Sequence, residues 1–169
     1  MSVRTEPRFT RDVDLAVRVA ADSDAEALIR ALMERGWGVL AQVEQEATGR
    51  LATVRLAAPP DEPAGQVVVD LLFASSGVEP ELVSDAEPLE VLEGVTVPVA
   101  TTAHLLALKV LAQDPRTRPQ DAVDARNLLA VASPADLEKT RSLLSRIEER
   151  GFGRGKALLE ELDALLQSA

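Results

Sequence analysis

The chain has 169 residues, 46% of them hydrophobic and 27% charged, which is the composition of an ordinary globular domain with room for one core and a small helical addition. A formal net charge of −10 argues against a broad electrostatic grip on nucleic acid, and aromatics at 2% leave few platforms on which bases could stack. The absence of cysteine removes disulfides and thiolate metal sites, and a single histidine, His104, removes multi-histidine ones.

No apolar run approaches the roughly 20 residues of a membrane span. The opening "MSVRTEPRFT" lacks the basic-then-apolar order of a signal peptide. The expectation is a soluble, cytoplasmic protein with no membrane partner.

Taken in chain order, residues 12–19, "DVDLAVRV", alternate polar and apolar and predict a strand. A helix follows in "DSDAEALIRALMERGWG". Asp22 or Ser23 is its expected cap, Leu28, Ile29, Leu32 and Met33 form its apolar stripe, and Gly36 stands at its C-terminal end. Runs 39–44, 51–57 and 66–73 predict three more strands, the first two joined by a polar turn at Gly49 and the last two by "APPDEPAG". "EVLEGVTVPVA" adds short extended pieces around Gly94.

From residue 101 the pattern becomes helical. "TTAHLLALKVLAQ" has Thr101 or Thr102 as cap, and "RPQDAVDARNLLAVA" carries Pro119 near its first turn. "SPADLEKTRSLLSRIEER" opens on Ser133, Pro134 and Asp136 in capping order, and "GRGKALLEELDALLQ" is amphipathic enough for a surface helix. Strands with one helix, then a run of helices, is the order of an α+β fold. The expected organisation is a core over 1–100 with a helical part over 101–169 packed on it as a single compact unit.

The chemistry gathers at a few awkward positions. Residues i and i+2 of a strand share a face, so Asp12 and Asp14 project together with Cα atoms about 6.6 Å apart at about 3.3 Å per residue. Carboxylates at that spacing can share a hard cation, although D-x-D recurs in any acidic protein and solvated strand-end aspartates are the plainer reading. In "GQVVVDLLFA" a single acid, Asp70, stands among apolar residues, where an unpaired charge would be costly. It must lie at a strand end, meet a cation or titrate. One solution is a salt bridge to Arg18 or Arg55. The other is a place beside Asp12 and Asp14 on a neighbouring strand, the protein half of a two-metal site.

In "HLLALKVLA" the leucines and Val110 cover nearly every face, which marks a buried helix with Lys109 in its middle. That lysine either snorkels or points at an anion, a triphosphate and Asp124 being the two candidates. His104 reads as a polar residue near the helix cap rather than a ligand. In "DPRTRPQDAVD", Arg116 and Arg118 could hold phosphate while Asp121 and Asp124 orient Lys109 or the arginines. The alternative is a solvated helix start with acids favoured by the helix dipole, which suits Asp121 better than Asp124. Asp124 shares a predicted face with Leu128 and Val131 and is expected to be half-buried.

Together, "RFTRDVDLAV", "VVVDLLFA" and "VPVATTAHLLALKVLAQDPRTRPQDAVDARNLL" resemble the nucleotidyltransferase superfamily with its polymerase-beta-like fold, and within it the AbiEii-type toxin-related branch. The resemblance covers residues 3 to 131. It implies a mixed-sheet core, with Asp12 and Asp14 binding two Mg²⁺ ions that hold a nucleoside triphosphate and Asp70 completing the catalytic set and helping to activate an acceptor hydroxyl. It places Thr10, Lys109, Arg116 and Arg118 at the nucleotide phosphates, with Arg8, Asp121 and Asp124 in support.

The implied activity is transfer of a nucleoside monophosphate to an acceptor such as RNA, tRNA included, by the toxin of a toxin–antitoxin pair whose antitoxin is a protein partner. One departure stands out. The family carries a Gly-Gly or Gly-Ser pair before its D-x-D strand to grip triphosphate through backbone N–H groups, and here no glycine precedes Gly36. That leaves a second reading open, a catalytically degenerate nucleotide-binding or protein-interaction module of the same fold. An uncovered sheet edge would then favour a homodimer.

Overall fold

The computed structural model describes residues 12–45, 48–60, 67–114 and 119–168, which fall into two compact units that meet in sequence between Ser75 and Ser76. In the first unit, strand β1 (Asp12–Ala16) leads to helix α1 (Asp22–Met33), then to β2 (Gly38–Glu44), β3 (Leu51–Ala57) and β4 (Val68–Leu72). These strands form one sheet in the order β1-β4-β3-β2. β1 and β4 are parallel and the other pairs antiparallel, so the sheet is mixed.

Alternation sorts the two faces. Ala52, Val54 and Leu56 of β3 and Val69 and Leu71 of β4 are buried, and Ala25, Phe73 and the half-buried Leu28, Ile29, Leu32 and Trp37 pack with them. The intervening residues, Thr53 and Arg55 on β3 and Asp70 on β4, lie on the opposite face because successive strand side chains alternate. β1 ends three residues sooner than its alternation predicts. Its partner β4 stops at Leu72, whose carbonyl accepts one last bond from the Val17 N–H at 2.9 Å.

Helix α1 corrects two local expectations. Its N-cap is Ala21, so neither Asp22 nor Ser23 caps it. Instead the Asp24 carboxylate accepts from the N–H groups of Ala20 and Ala21 at 3.2 and 3.1 Å. Met33, expected in the apolar stripe, is exposed, and fully buried Ala25 marks the inner face. Gly36 adopts φ of +89° just past the helix, and Gly49 adopts +63° in the turn from β2 to β3, positions that favour glycine.

The second unit opens with a short helix, α2 (Glu79–Ser84), and a separate two-stranded antiparallel sheet of β5 (Glu87–Leu92) and β6 (Val95–Val99) turning at Gly94. Four helices follow: α3 (Thr102–Ala112), α4 (Pro119–Leu129), α5 (Pro134–Glu149) and α6 (Leu158–Ser168). α3 is central and contacts each of the other three. Its buried Leu106, Ala107 and Val110 share a core with Leu128 of α4, Leu143, Leu144 and Ile147 of α5, and Leu158 and Leu162 of α6.

The caps are those the sequence indicates. The Thr101 hydroxyl accepts from the His104 N–H, and the Ser133 hydroxyl accepts from the Asp136 N–H at 3.1 Å while the Asp136 carboxylate accepts from the Ser133 N–H at 2.9 Å. The last helix begins at Leu158, five residues later than the amphipathic stretch suggests. α2 is tied to α5 by Glu81, which accepts from Arg146 at 2.9 Å and from Arg150 at 2.7 and 3.1 Å. The Arg150 hydrogen bonds hold the Glu81 carboxyl down at about 2. The architecture is α+β with a mixed sheet and a helical C-terminal part. No helix of the described residues is long and apolar enough to cross a membrane.

Candidate functional site

The register places one row of charged residues across three strands. Asp14 of β1 pairs with Asp70 of β4, and Asp70 pairs in turn with Arg55 of β3. Asp12, two residues from Asp14, shares its face. All four therefore project from the side of the sheet opposite the α1 core. This resolves the puzzle of an acid inside "VVVDLLFA", because Asp70 belongs to the polar row and its immediate neighbours Val69 and Leu71 belong to the buried one.

Of the two arginines the sequence offers Asp70, the structure selects Arg55. Its guanidinium donates a two-pronged pair of bonds, Nε to Oδ1 at 2.8 Å and Nη2 to Oδ2 at 2.7 Å. The same Nη2 lies 3.6 Å from Oδ2 of Asp12. Arg55 remains 44% exposed while Asp70 is 14% exposed, so the acid is sheltered and its cation is at the surface. The Asp70 hydrogen bonds and charge, with smaller contributions from Asp12 and Asp14, push the Arg55 pKa further above its already high value.

As a donor set, three carboxylate oxygen groups on one face suit a hard divalent cation such as Mg²⁺ in chemistry. They are not closed around a common point, for among the described residues no group of three or more acids, histidines or cysteines is gathered to hold a metal. Among the described residues, the Arg55 guanidinium brings positive charge to this set.

A second cluster lies wholly within the helical unit. Lys109 projects from α3 toward α4, where Asp121 and Asp124 stand three residues apart and so on one helical face. Its Nζ lies 2.7 Å from Oδ1 of Asp121 and 3.0 Å from Oδ2 of Asp124, and Asp124 also accepts from the Gln120 side chain at 3.2 Å. Burial opposes the lysine's charge. The hydrogen bonds and charges of the two aspartates outweigh it and raise the Lys109 pKa. Asp124 is nearly enclosed rather than half-buried, at 3% exposure, against Lys109 and Gln120, whereas Val131, expected on the same face, lies beyond the end of α4 at Leu129 and is exposed.

His104 is fully buried. Its Nδ1 lies 2.8 Å from the Thr101 hydroxyl and its Nε2 3.9 Å from Asp85, which places it in the cap of α3. Arg8, Thr10, Arg116 and Arg118, singled out in the sequence, lie outside the described residues.

The profile of a protein family described as "Nucleotidyl transferase AbiEii toxin, Type IV TA system" matches residues 1–168. That match spans nearly the whole chain. The protein belongs to the AbiEii nucleotidyl transferase toxin family. No curated protein matches it.

Within this AbiEii-family chain, the described candidates fall into two groups, one in each unit: Asp12, Asp14 and Asp70 on the sheet, Lys109, Asp121 and Asp124 on the helices. The residue absent from the sequence-based site is Arg55. The sequence names it only as one possible partner of Asp70. Its signal is the alternation of "LATVRLA", in which one arginine faces away from Ala52, Val54 and Leu56 and onto the acidic face.

Proposed function

We propose that this AbiEii-family toxin moves a nucleoside monophosphate from a nucleoside triphosphate to an acceptor hydroxyl, with RNA, such as tRNA, as the acceptor class. The acceptor oxygen forms its bond to the α-phosphorus, the α–β phosphoanhydride bond breaks, and pyrophosphate leaves. The single observation that carries the reading is the placing of Asp12, Asp14 and Asp70 on one face of two adjacent parallel strands.

Asp12 and Asp14, with Asp70 completing the set, would hold Mg²⁺. When bound, the cation supplies charge neutralisation at the triphosphate and polarises the transferring phosphoryl group. Asp70 helps to take the proton from the acceptor hydroxyl. Lys109, held between Asp121 and Asp124, contacts phosphate. The acidic chain meets its polyanionic substrates through these local cations rather than through a basic surface. The functional counterpart of the toxin is the antitoxin of its type IV system.

The test is transfer of labelled nucleoside monophosphate to RNA with Mg²⁺ by wild type, Asp12→Asn and Asp14→Asn. Each variant is expected to lose about 100-fold or more, the scale of removing one group that stabilises transition-state charge. Equal labelling by wild type and variants excludes the assigned roles. A specific observation, the fork of Arg55 on Asp70, favours a second reading in which the fold binds nucleotide without transferring it. A thermal shift with nucleoside triphosphate and Mg²⁺, without labelling of any acceptor, identifies that case.

A further inference from the structure

We propose that Arg55 is a resident counter-cation of the carboxylate face, a positioning residue that grips Asp70 and reaches Asp12 in the metal-free protein and releases Asp70 when a divalent cation enters. This rests on the reading of those aspartates as metal ligands. Arg55 stands on the third strand of a row that runs Asp14, Asp70, Arg55, and its guanidinium reaches back across β4 to Asp12 at 3.6 Å. One side chain thus joins β3, β4 and β1 on the face where the acids repel one another.

The guanidinium occupies both oxygens of Asp70, the most sheltered of the three donors. A cation that uses Asp70 has to break that fork. The guanidinium cannot be removed by deprotonation at any ordinary pH, so release occurs by competition between cations. The geometry suits such an exchange. The arginine head is 44% exposed and can turn into water along its flexible stem, whereas Lys109, at 25% exposure between two more deeply buried acids, has no comparable exit.

The experiment follows the Arg55 Nε–Hε signal by ¹⁵N NMR in the whole chain, assigned by its disappearance in Arg55→Lys, alongside Mn²⁺ binding measured by electron paramagnetic resonance. In metal-free wild type the signal is expected to be slowed in exchange by the fork and to move to the position of a solvated arginine as Mg²⁺ is added. A signal unmoved at saturating Mg²⁺ overturns the proposal, and this measurement needs no variant that must fold without its arginine. Arg55→Gln is expected to bind Mn²⁺ about tenfold more tightly than wild type, a coupling of ordinary size between competing ligands. Equal or weaker binding by Arg55→Gln, with Asp12→Asn still abolishing it, overturns the displacement and leaves the metal ligands standing. Mn²⁺ binding by neither wild type nor Arg55→Gln overturns the metal reading, and the displacement with it.

Discussion

The sheet face and the helix pair solve the same electrostatic problem in opposite ways. Each sets acidic side chains against a basic residue, and the shortest ion-pair distance between described residues is 2.7 Å in both. On the sheet, the cation is at the surface and two of the acids are exposed. Between α3 and α4, the two acids are sheltered, Asp124 almost completely, and the lysine stem is packed into the helix core. Distance does not separate these clusters, but burial does. An exposed ion pair contributes little because water competes for both partners, whereas breaking a buried pair strands a charge that water cannot reach. The sheet cluster is therefore built to exchange its cation, and the helix cluster to keep it.

The largest expected effect tests that contrast directly. Lys109→Met removes the ammonium that lies between Asp121 and Asp124 and is expected to destabilise by about 3 kcal/mol, as for other broken buried pairs. Adding Asp124→Leu in the same chain removes the more deeply buried of the stranded acids and is expected to restore part of the loss. On the sheet, Arg55→Gln without metal is expected to cost no more than about 1 kcal/mol, the range of exposed pairs. Urea unfolding of the three variants measures all of this. A cost for Arg55→Gln equal to that for Lys109→Met would break the comparison.

Alkaline pH provides a second separation of the two regions. The folded pKa of Lys109 is raised above its ordinary 10.5, so its contribution is fully present below 10.5 and is lost as pH rises through the folded value. Arg55 stays charged throughout that range. Amide exchange in α3 and α4 is expected to accelerate above pH 10.5 beyond the general base-catalysed trend, with β3 and β4 showing no matching excess.

The acid side of the helical unit has the opposite sign. Burial lowers the His104 pKa below 6.5, against smaller upward contributions from the charges of Asp85 and Glu81 and with a further downward one from the Lys139 cation. The unfolded chain binds that proton first, so stability is complete above pH 6.5 and falls as pH drops from there toward the folded value. His104→Leu is expected to flatten the urea midpoint between pH 7 and pH 5.5. A wild-type midpoint that does not fall over this interval would sink the assignment.

What was legible in the sequence follows from how local each cause is. The caps at Thr101 and at Ser133 with Asp136 depend on a hydroxyl and N–H groups three residues on, so they can be read from the chain alone. Period-two alternation likewise places Asp12 with Asp14 and Arg55 away from Val54. It cannot say which strand lies beside which. The choice of Arg55 over Arg18 as the partner of Asp70 is a property of the order β1-β4-β3-β2. Met33 and Val131 look apolar enough to be inside, but both stand where a helix runs out of partner, and only packing reveals that. The six residues of α2 are too few for a helical period to show against the strands around them. Its hold on α5 through Glu81, Arg146 and Arg150 joins residues more than 60 apart in sequence.

The smallest effect calibrates the rest. Arg141 and Asp163 join α5 to α6 at 3.1 Å, a shorter approach than Arg55 to Asp12, with both side chains about half exposed, at 46% and 57%. If approach distance governed the strength of an ion pair, Arg141→Gln would cost more than loss of the Arg55–Asp12 contact. If exposure governs it, Arg141→Gln produces no resolvable change in the urea midpoint, because solvent and mobile ions replace what the pair supplied. The second outcome is expected at physiological salt. A clear loss of stability from Arg141→Gln would mean that surface pairs on this chain hold more firmly than their exposure allows, and a guanidinium as exposed as that of Arg55 could then no longer be treated as easily displaced.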